Sequence, residues 1–319
     1  MSKRVLFTGA SGFVGSEVLG YLLKHTDWEF VCLCSWRHKG NPLRLQALHW
    51  SSNSYSDRVT VITHDISAPL PDLGQFDYIV NIASESHVDR SLKDPTGFVM
   101  NNVGLMMNLL EYARKHQPEV FLQFSTDEVY GAKNHEEWDV LLPSNPYAAS
   151  KAMQEMACIS EFKSAGTPIV ITNSNNIVGV NQDREKFVPK LVSLIGAGKV
   201  VQIHTVNGEP GKRYYNPVQN IGAALQFILN RKPASYPQAD RPDRYSLPGG
   251  DEVDNLTMAK WVAAIMGKQL KFELVDAESV RRGYDQFYPR TDGRLHELGF
   301  TPEAVLQEEL KNIVEALCH

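Results

Sequence analysis

From Lys3 onward, short apolar runs alternate with stretches whose apolar positions recur at helical spacing. "RVLFT", "FVCLC", "VTVITHD", "FDYIVNIAS", "VFLQFST" and "PIVITNSNN" read as strands rich in β-branched and aromatic residues. Between them, "FVGSEVLGYLLKH", "GFVMNNVGLMMNLLEYARKH" and "NPYAASKAMQEMACISEFKSAG" read as helices. Nearly continuous apolar strands joined through helices predict an α/β fold with a doubly wound parallel sheet. After Ile177 the rhythm changes to helix-like "FVPKLVSLIGAGK", a strand "VVQIHTV", a helix "VQNIGAALQFILNR" and a proline-rich loop over Lys232 to Pro242. Two further helices are expected near Thr257–Met266 and Pro302–Leu317. The predicted layout is a first domain over residues 1–176 and a smaller α/β domain over 177–319. The helix near 218–231 is expected to pack back on the first domain. No linker separates the two, which predicts a cleft between them.

Composition narrows the classes. The chain has 319 residues, 43% hydrophobic and 22% charged, enough for one large or two fused domains. A net charge of −5 gives no electrostatic footprint for nucleic acid or an anionic membrane. Four cysteines form no CxxC pair, which suits reduced thiols in a cytoplasmic setting. No apolar run approaches the roughly 18 residues that span a bilayer. At the N-terminus, glycine and polar residues break the apolar run too early for a signal peptide.

Chemistry enters with "TGASGFVG", which sets Gly9, Gly12 and Gly15 between the first strand and first helix. Glycine permits a tight turn and close backbone approach, and the helix N-terminus offers free N–H groups to a pyrophosphate. That context points to a Rossmann-type nicotinamide dinucleotide site. NAD sites commonly carry an acid at the end of the second strand, but "FVCLCSWRHKGN" has none. With Arg37, His38 and Lys39 nearby, the expectation leans to NADP, whose 2′-phosphate suits a guanidinium, with NAD as the alternative. "PYAASK" puts Tyr147 and Lys151 on one helical face. A nearby ammonium is expected to bring the phenol's pKa of about 10 towards working pH. Upstream, "STDEVY" places two adjacent carboxylates, Asp127 and Glu128, where a buried strand stops. That is either a solvated loop or a site arranged for acid–base work.

Together these motifs make the chain resemble the extended short-chain dehydrogenase/reductases along nearly its full length, and within them the nucleotide-sugar 4,6-dehydratases. "ASESHVDRS", "NNVG", "STDEVYG", "NPYAASKA" and "EKFVPKL" carry the likeness. The resemblance implies that Tyr147 takes the O4 proton of a hexose as its C4 hydride leaves. Glu128 then removes the C5 proton, a protonated Asp127 donates to the departing C6 hydroxyl, and the hydride returns to C6. Thr126 and Ser125 would bond O4, and mutual repulsion would keep one carboxyl protonated. The cofactor set so implied is Gly9, Ser11, Gly12, Phe13, Val14, Gly15, Ser35, Arg37, Asp65, Ile66, Ala83, Ser84, Asn102, Tyr147 and Lys151. Ser86, His87, Asp89, Ser125, Asn176, Glu185, Lys186, Phe187, His204, Arg213 and Arg281 would serve the nucleotide sugar. No metal is implied.

Two departures fall in the nucleotide-binding half: "RYYNPVQN" replaces the family's RDWxYVxD, and His204 stands where an aromatic residue is expected. The base and hexose therefore stay open. An epimerase or decarboxylase of the same fold, or a cofactor-binding protein without turnover, are the alternatives. Methionines on the two long helices suggest a homodimer through a four-helix bundle, the family habit; core filling is the plainer account.

Overall fold

The computed structural model describes residues 2–37, 39–51, 57–132, 136, 138–247, 250, 252–280, 284–288 and 293–318. Seven parallel strands form the central sheet in the order β11-β6-β5-β4-β1-β2-β3. They are β1 (Arg4–Thr8), β2 (Glu29–Cys34), β3 (Val59–Thr63), β4 (Tyr78–Asn81), β5 (Val120–Thr126), β6 (Ile169–Ser174) and β11 (Asp243–Leu247). The order reverses at β1, where β2 and β4 flank the same strand. An open α/β sheet leaves its ligand crevice at such a point, beyond the carboxyl ends of the strands.

Alternation along the strands builds two cores. Val5 and Phe7 face one layer with Val18, Leu19 and Leu22, while Leu6 faces the other with Ile79, Leu109 and Phe121. The first layer holds helix Phe13–His25, and helix Val218–Leu229 joins it through Ile221, Leu225 and Ile228. Opposite lie helices Pro95–His116 and Pro146–Ala165. All seven residues of β5 are buried, as a central parallel strand covered on both faces requires.

A third core lies in the second half, around Val188, Leu191, Ile203, Val262, Leu310 and Ile313. It is framed by two three-stranded sheets. One joins β7 (Asn176–Val178), β10 (Lys212–Pro217) and β12 (Glu252–Asp254); the other joins β8 (Val201–Val206), β9 (Glu209–Pro210) and β13 (Phe272–Asp276). β11, far along the chain, returns to pair with β6 in the main sheet. No helix of the described residues is long and apolar enough to cross a membrane.

Candidate active site

A cleft of about 360 Å³ opens at the carboxyl ends of β1, β4 and β5, between the main sheet and the second half. The glycine loop forms one wall. Gly9 sits at φ +80°, and a Cβ there would meet the Ala83 nitrogen at 2.7 Å. At Gly15 a Cβ would lie 2.0 Å from the Gly9 carbonyl oxygen. Helix Phe13–His25 begins directly after, with Gly12 as an N-cap that has no side chain to bond its first N–H groups. A loop that tight, facing a helix N-terminus, fits a pyrophosphate and excludes a side chain.

At the end of β5 the chain turns at once into a short 3-10 helix, Asp127–Tyr130, capped by Thr126, whose Oγ1 accepts from the Glu128 N–H at 3.3 Å. That turn places the two carboxylates differently. Asp127 is 6% exposed and accepts from Asn175 Nδ2 at 2.8 Å and from the Thr126 hydroxyl at 3.2 Å. Burial first, and the Glu128 charge second, push its carboxyl up to about 7. Glu128 lines the cleft, and its Oε2 accepts from Asn145 Nδ2 at 3.3 Å and lies 3.4 Å from the Tyr288 hydroxyl. Repulsion is thus the smaller cause; the deeper seat of Asp127 matters more.

Helix Pro146–Ala165 delivers Tyr147 and Lys151, both buried and both lining the cleft. The expected ionisation of the phenol is not what the fold favours. Burial pushes Tyr147 well above the usual phenol range, Glu128 and Asp127 add to it, and only a hydrogen bond with Thr126 opposes. Lys151 Nζ turns instead to the Phe124 carbonyl at 2.6 Å and Gln154 Oε1 at 3.1 Å. Burial lowers Lys151 to about 8, partly countered by Glu155.

Most of the remaining predicted residues gather on the same cleft: Ser11, Phe13, Val14, Ser35, Arg37, Asp65, Ile66, Ala83, Ser84, Ser86, His87, Ser125, Asn176, Glu185, Lys186 and Phe187. Several do not. Asn102 is wholly buried, with its amide tied to the Glu85 backbone and the Ser150 hydroxyl, so it braces the loop under the cleft. Asp89 is exposed in the first turn of helix Val88–Lys93 and is not part of the lining, though its charge acts on His87 and Lys186, which are. His204 packs edge-on against Tyr284 at 5.7 Å. Arg213 gives its guanidinium to the carbonyls of Lys212, Asp285 and Gln286 and stacks on Tyr288 at 4.6 Å, pinning the 284–288 segment. Arg281 and His38 lie outside the described residues. Arg37, expected to meet a phosphate, is paired with Asp65. Asp65 stays below the usual carboxyl range because Ser67 and Arg37 outweigh its partial burial.

Sequence reading missed Asn175, Asn145 and Tyr288, which hold the two carboxylates; Lys39, expected beside a phosphate, pairs with Glu185 at 2.9 Å. Asn145 carried a signal, being the N-cap before Pro146 that accepts from the Ala148 N–H. Tyr288 carried none, since a loop 160 residues away brings it to Glu128.

The sequence profile of the NAD dependent epimerase/dehydratase family matches residues 5–237. The chain belongs to that family. It is 31% identical over 315 residues to the low-salt glycan biosynthesis protein Agl12 of Haloferax volcanii, covering 98% of this chain and 97% of that one. It is 30% identical to a dTDP-glucose 4,6-dehydratase of Streptomyces griseus, covering 97% and 92%. Among solved structures, DesIV of Streptomyces venezuelae, a dTDP-glucose 4,6-dehydratase with NAD and TYD bound, superposes with a TM-score of 0.85 at 26% identity, covering 98% and 96%. A UDP-glucuronic acid 4-epimerase of Bacillus cereus shares the fold, with a TM-score of 0.86 at 21% identity, covering 99% of both chains. Dehydratases and epimerases thus stand side by side among the relatives.

Proposed function

We infer that the protein is a nucleotide-sugar 4,6-dehydratase, converting a nucleotide-activated hexose to its 4-keto-6-deoxy form. One observation carries this reading: beside Tyr147, one carboxyl is buried and pushed up to about 7 while its neighbour lines the cleft. An acid and a base set one residue apart suit elimination of water across C5 and C6. When bound, the nicotinamide supplies a reversible hydride acceptor.

The chain's own residues do the rest. Tyr147 accepts the O4 proton, which requires positive charge nearby to offset its burial, and Lys151 in the same cleft is the chain's own source. Ser125 and Thr126 bond the developing C4 carbonyl oxygen. Glu128 takes the C5 proton, steadied by Asn145 and Tyr288. Asp127 gives its proton to the leaving C6 hydroxyl, and water departs. Lys186, whose Nζ donates to the Ser86 carbonyl at 3.1 Å, and His87 would contact the sugar diphosphate. Residues 177–319 would mainly bind the nucleotide sugar.

We take the cofactor to be NAD rather than NADP. A 2′-phosphate would face Asp65, with Arg37 already neutralised, and the DesIV structure holds NAD. We also assign a homodimer to the exposed methionine face, where Met100 and Met107 on one helix stand beside Met153 and Met156 on the next. The free cysteines suit a reducing, cytoplasmic setting.

The test is incubation with a panel of nucleotide hexoses followed by mass spectrometry. Loss of one water from one of them supports the dehydratase; an unchanged mass with an altered sugar configuration would mark an epimerase instead.

A further inference from the structure

Beneath the cleft floor, a row of neutral polar side chains crosses three strands and ends on Lys151. Thr8, Asn81 and Gln123 are register partners on β1, β4 and β5, and each is wholly buried. Thr8 Oγ1 donates to Asn81 Oδ1 at 2.7 Å, and Asn81 Nδ2 donates to Gln123 Oε1 at 2.7 Å. Gln123 Nε2 then donates to Gln154 Oε1 at 2.9 Å. Gln154, equally buried, receives Lys151 Nζ on that same oxygen at 3.1 Å. The far end returns to the cleft, where the Ala83 N–H donates to Thr8 Oγ1 at 3.2 Å.

Donor and acceptor chemistry fixes the direction of every bond. The Ala83 N–H and the Lys151 ammonium can only donate, so one atom between them must accept twice, and that atom is Gln154 Oε1. The Gln154 amide cannot flip, because its Nε2 donates to the Asn102 carbonyl at 2.6 Å. Lysine normally carries its charge on a flexible four-carbon stem. Here two of the three ammonium protons are committed, to Gln154 and to the Phe124 carbonyl at 2.6 Å, while the side chain lines the cleft. We propose that Gln154, locked by Gln123, Asn81 and Thr8, is a positioning residue that orients the Lys151 ammonium and keeps it charged. The role rests on the reading of Lys151 as a working group of this site.

Other charges face Lys151 and define the background. Glu155 and Cys158 lie on its own helix, and Arg244 of β11 pairs with Glu155. Asp127 and Glu128 follow β5, and Tyr147 shares the cleft. On the packed helix Pro95–His116, Arg114 pairs with Glu161, two turns beyond Glu155. Burial already draws Lys151 down to about 8, so a lost acceptor bears directly on its charge near neutral pH.

The experiment is an NMR titration of labelled lysine side chains in the purified protein, with the Lys151 signal assigned by its loss in Lys151→Arg. Gln154→Leu removes the acceptor, and the Lys151 pKa should fall by roughly one unit; Gln154→Glu supplies an anionic acceptor and should raise it by a similar amount. The alkaline limb of the activity profile should follow in the same two directions. Should Gln154→Leu fail to fold, Gln154→Glu decides alone: an upward shift supports the proposal, and an unmoved or lowered value overturns it. Equal or same-sign shifts in both variants also overturn it. An absence of water loss in the unaltered protein would sink the dehydratase reading and leave the titration result standing.

Discussion

At the β5 end, Lys151 on the cleft lining and Asp127 behind it are almost wholly buried and held by neutral partners, among them Asn175, Gln154 and a backbone carbonyl. At the β2 end, Arg37, Lys39, Asp65 and Glu185 stay roughly a third to a half exposed and pair with one another. The contrast separates two uses of charge. Buried groups held mainly by neutral partners have their protonation moved by desolvation, which is what acid–base chemistry needs. Exposed pairs are screened and serve to shape a wall.

The sharpest way to break this comparison is at Glu128. Replacing it with Gln should lower the rate of water loss by about 10²–10⁴-fold, with nucleotide-sugar binding retained by calorimetry; a smaller drop would move the base elsewhere. Next comes the buried pair Arg244–Glu155, with side chains 1% and 0% exposed. Arg244→Met leaves Glu155 without its counter-ion and should cost roughly 3–5 kcal/mol in urea unfolding, whereas the double change Arg244→Met, Glu155→Gln should recover most of it.

Asp127 offers a pH test of similar origin. Its folded pKa of about 7 lies above the ordinary 3.8, so folding takes up a proton between those values. The stability this gives is complete below pH ~4 and is lost as pH rises through about 7. Asp127→Asn should therefore gain a few kcal/mol on the unaltered protein at pH 8 relative to pH 4, while losing activity. Equal pH dependence in both proteins would show that Asp127 titrates normally. The smallest effect belongs to the exposed wall. Arg37→Ala should change stability by under about 1 kcal/mol and leave NAD affinity within a few-fold, read by fluorescence titration; a large loss would show that the guanidinium holds the cofactor.

Local pattern made much of this legible. The glycine loop, the Tyr147–Lys151 spacing and the strands around them follow from periodicity and short-range chemistry, and the structure places all of these on one cleft. What escaped depends on distance or on compensation. Segment "DRYSL" reads as polar, yet all five residues are buried in β11, because Asp243 and Arg244 find counter-charges on Arg294 and Glu155. The row Thr8–Asn81–Gln123 is invisible as a motif, since its members lie 42 and 73 residues apart and meet only through strand register. Arg37 looked like a phosphate clamp because its partner, Asp65, is 28 residues away.

The late arrival of β11 has a consequence for biosynthesis. The family profile ends at residue 237, but the strand that closes the sheet begins at Asp243. A nascent chain halted between those points would present β6 as a raw, aggregation-prone margin and strand the carboxylate of Glu155 in oil-like surroundings. The helix that carries Tyr147 and Lys151 would then rest on an unfinished floor. Productive assembly must wait on the ribosome for a segment about 70 residues downstream of β6, a long-range closure of the kind that slows folding.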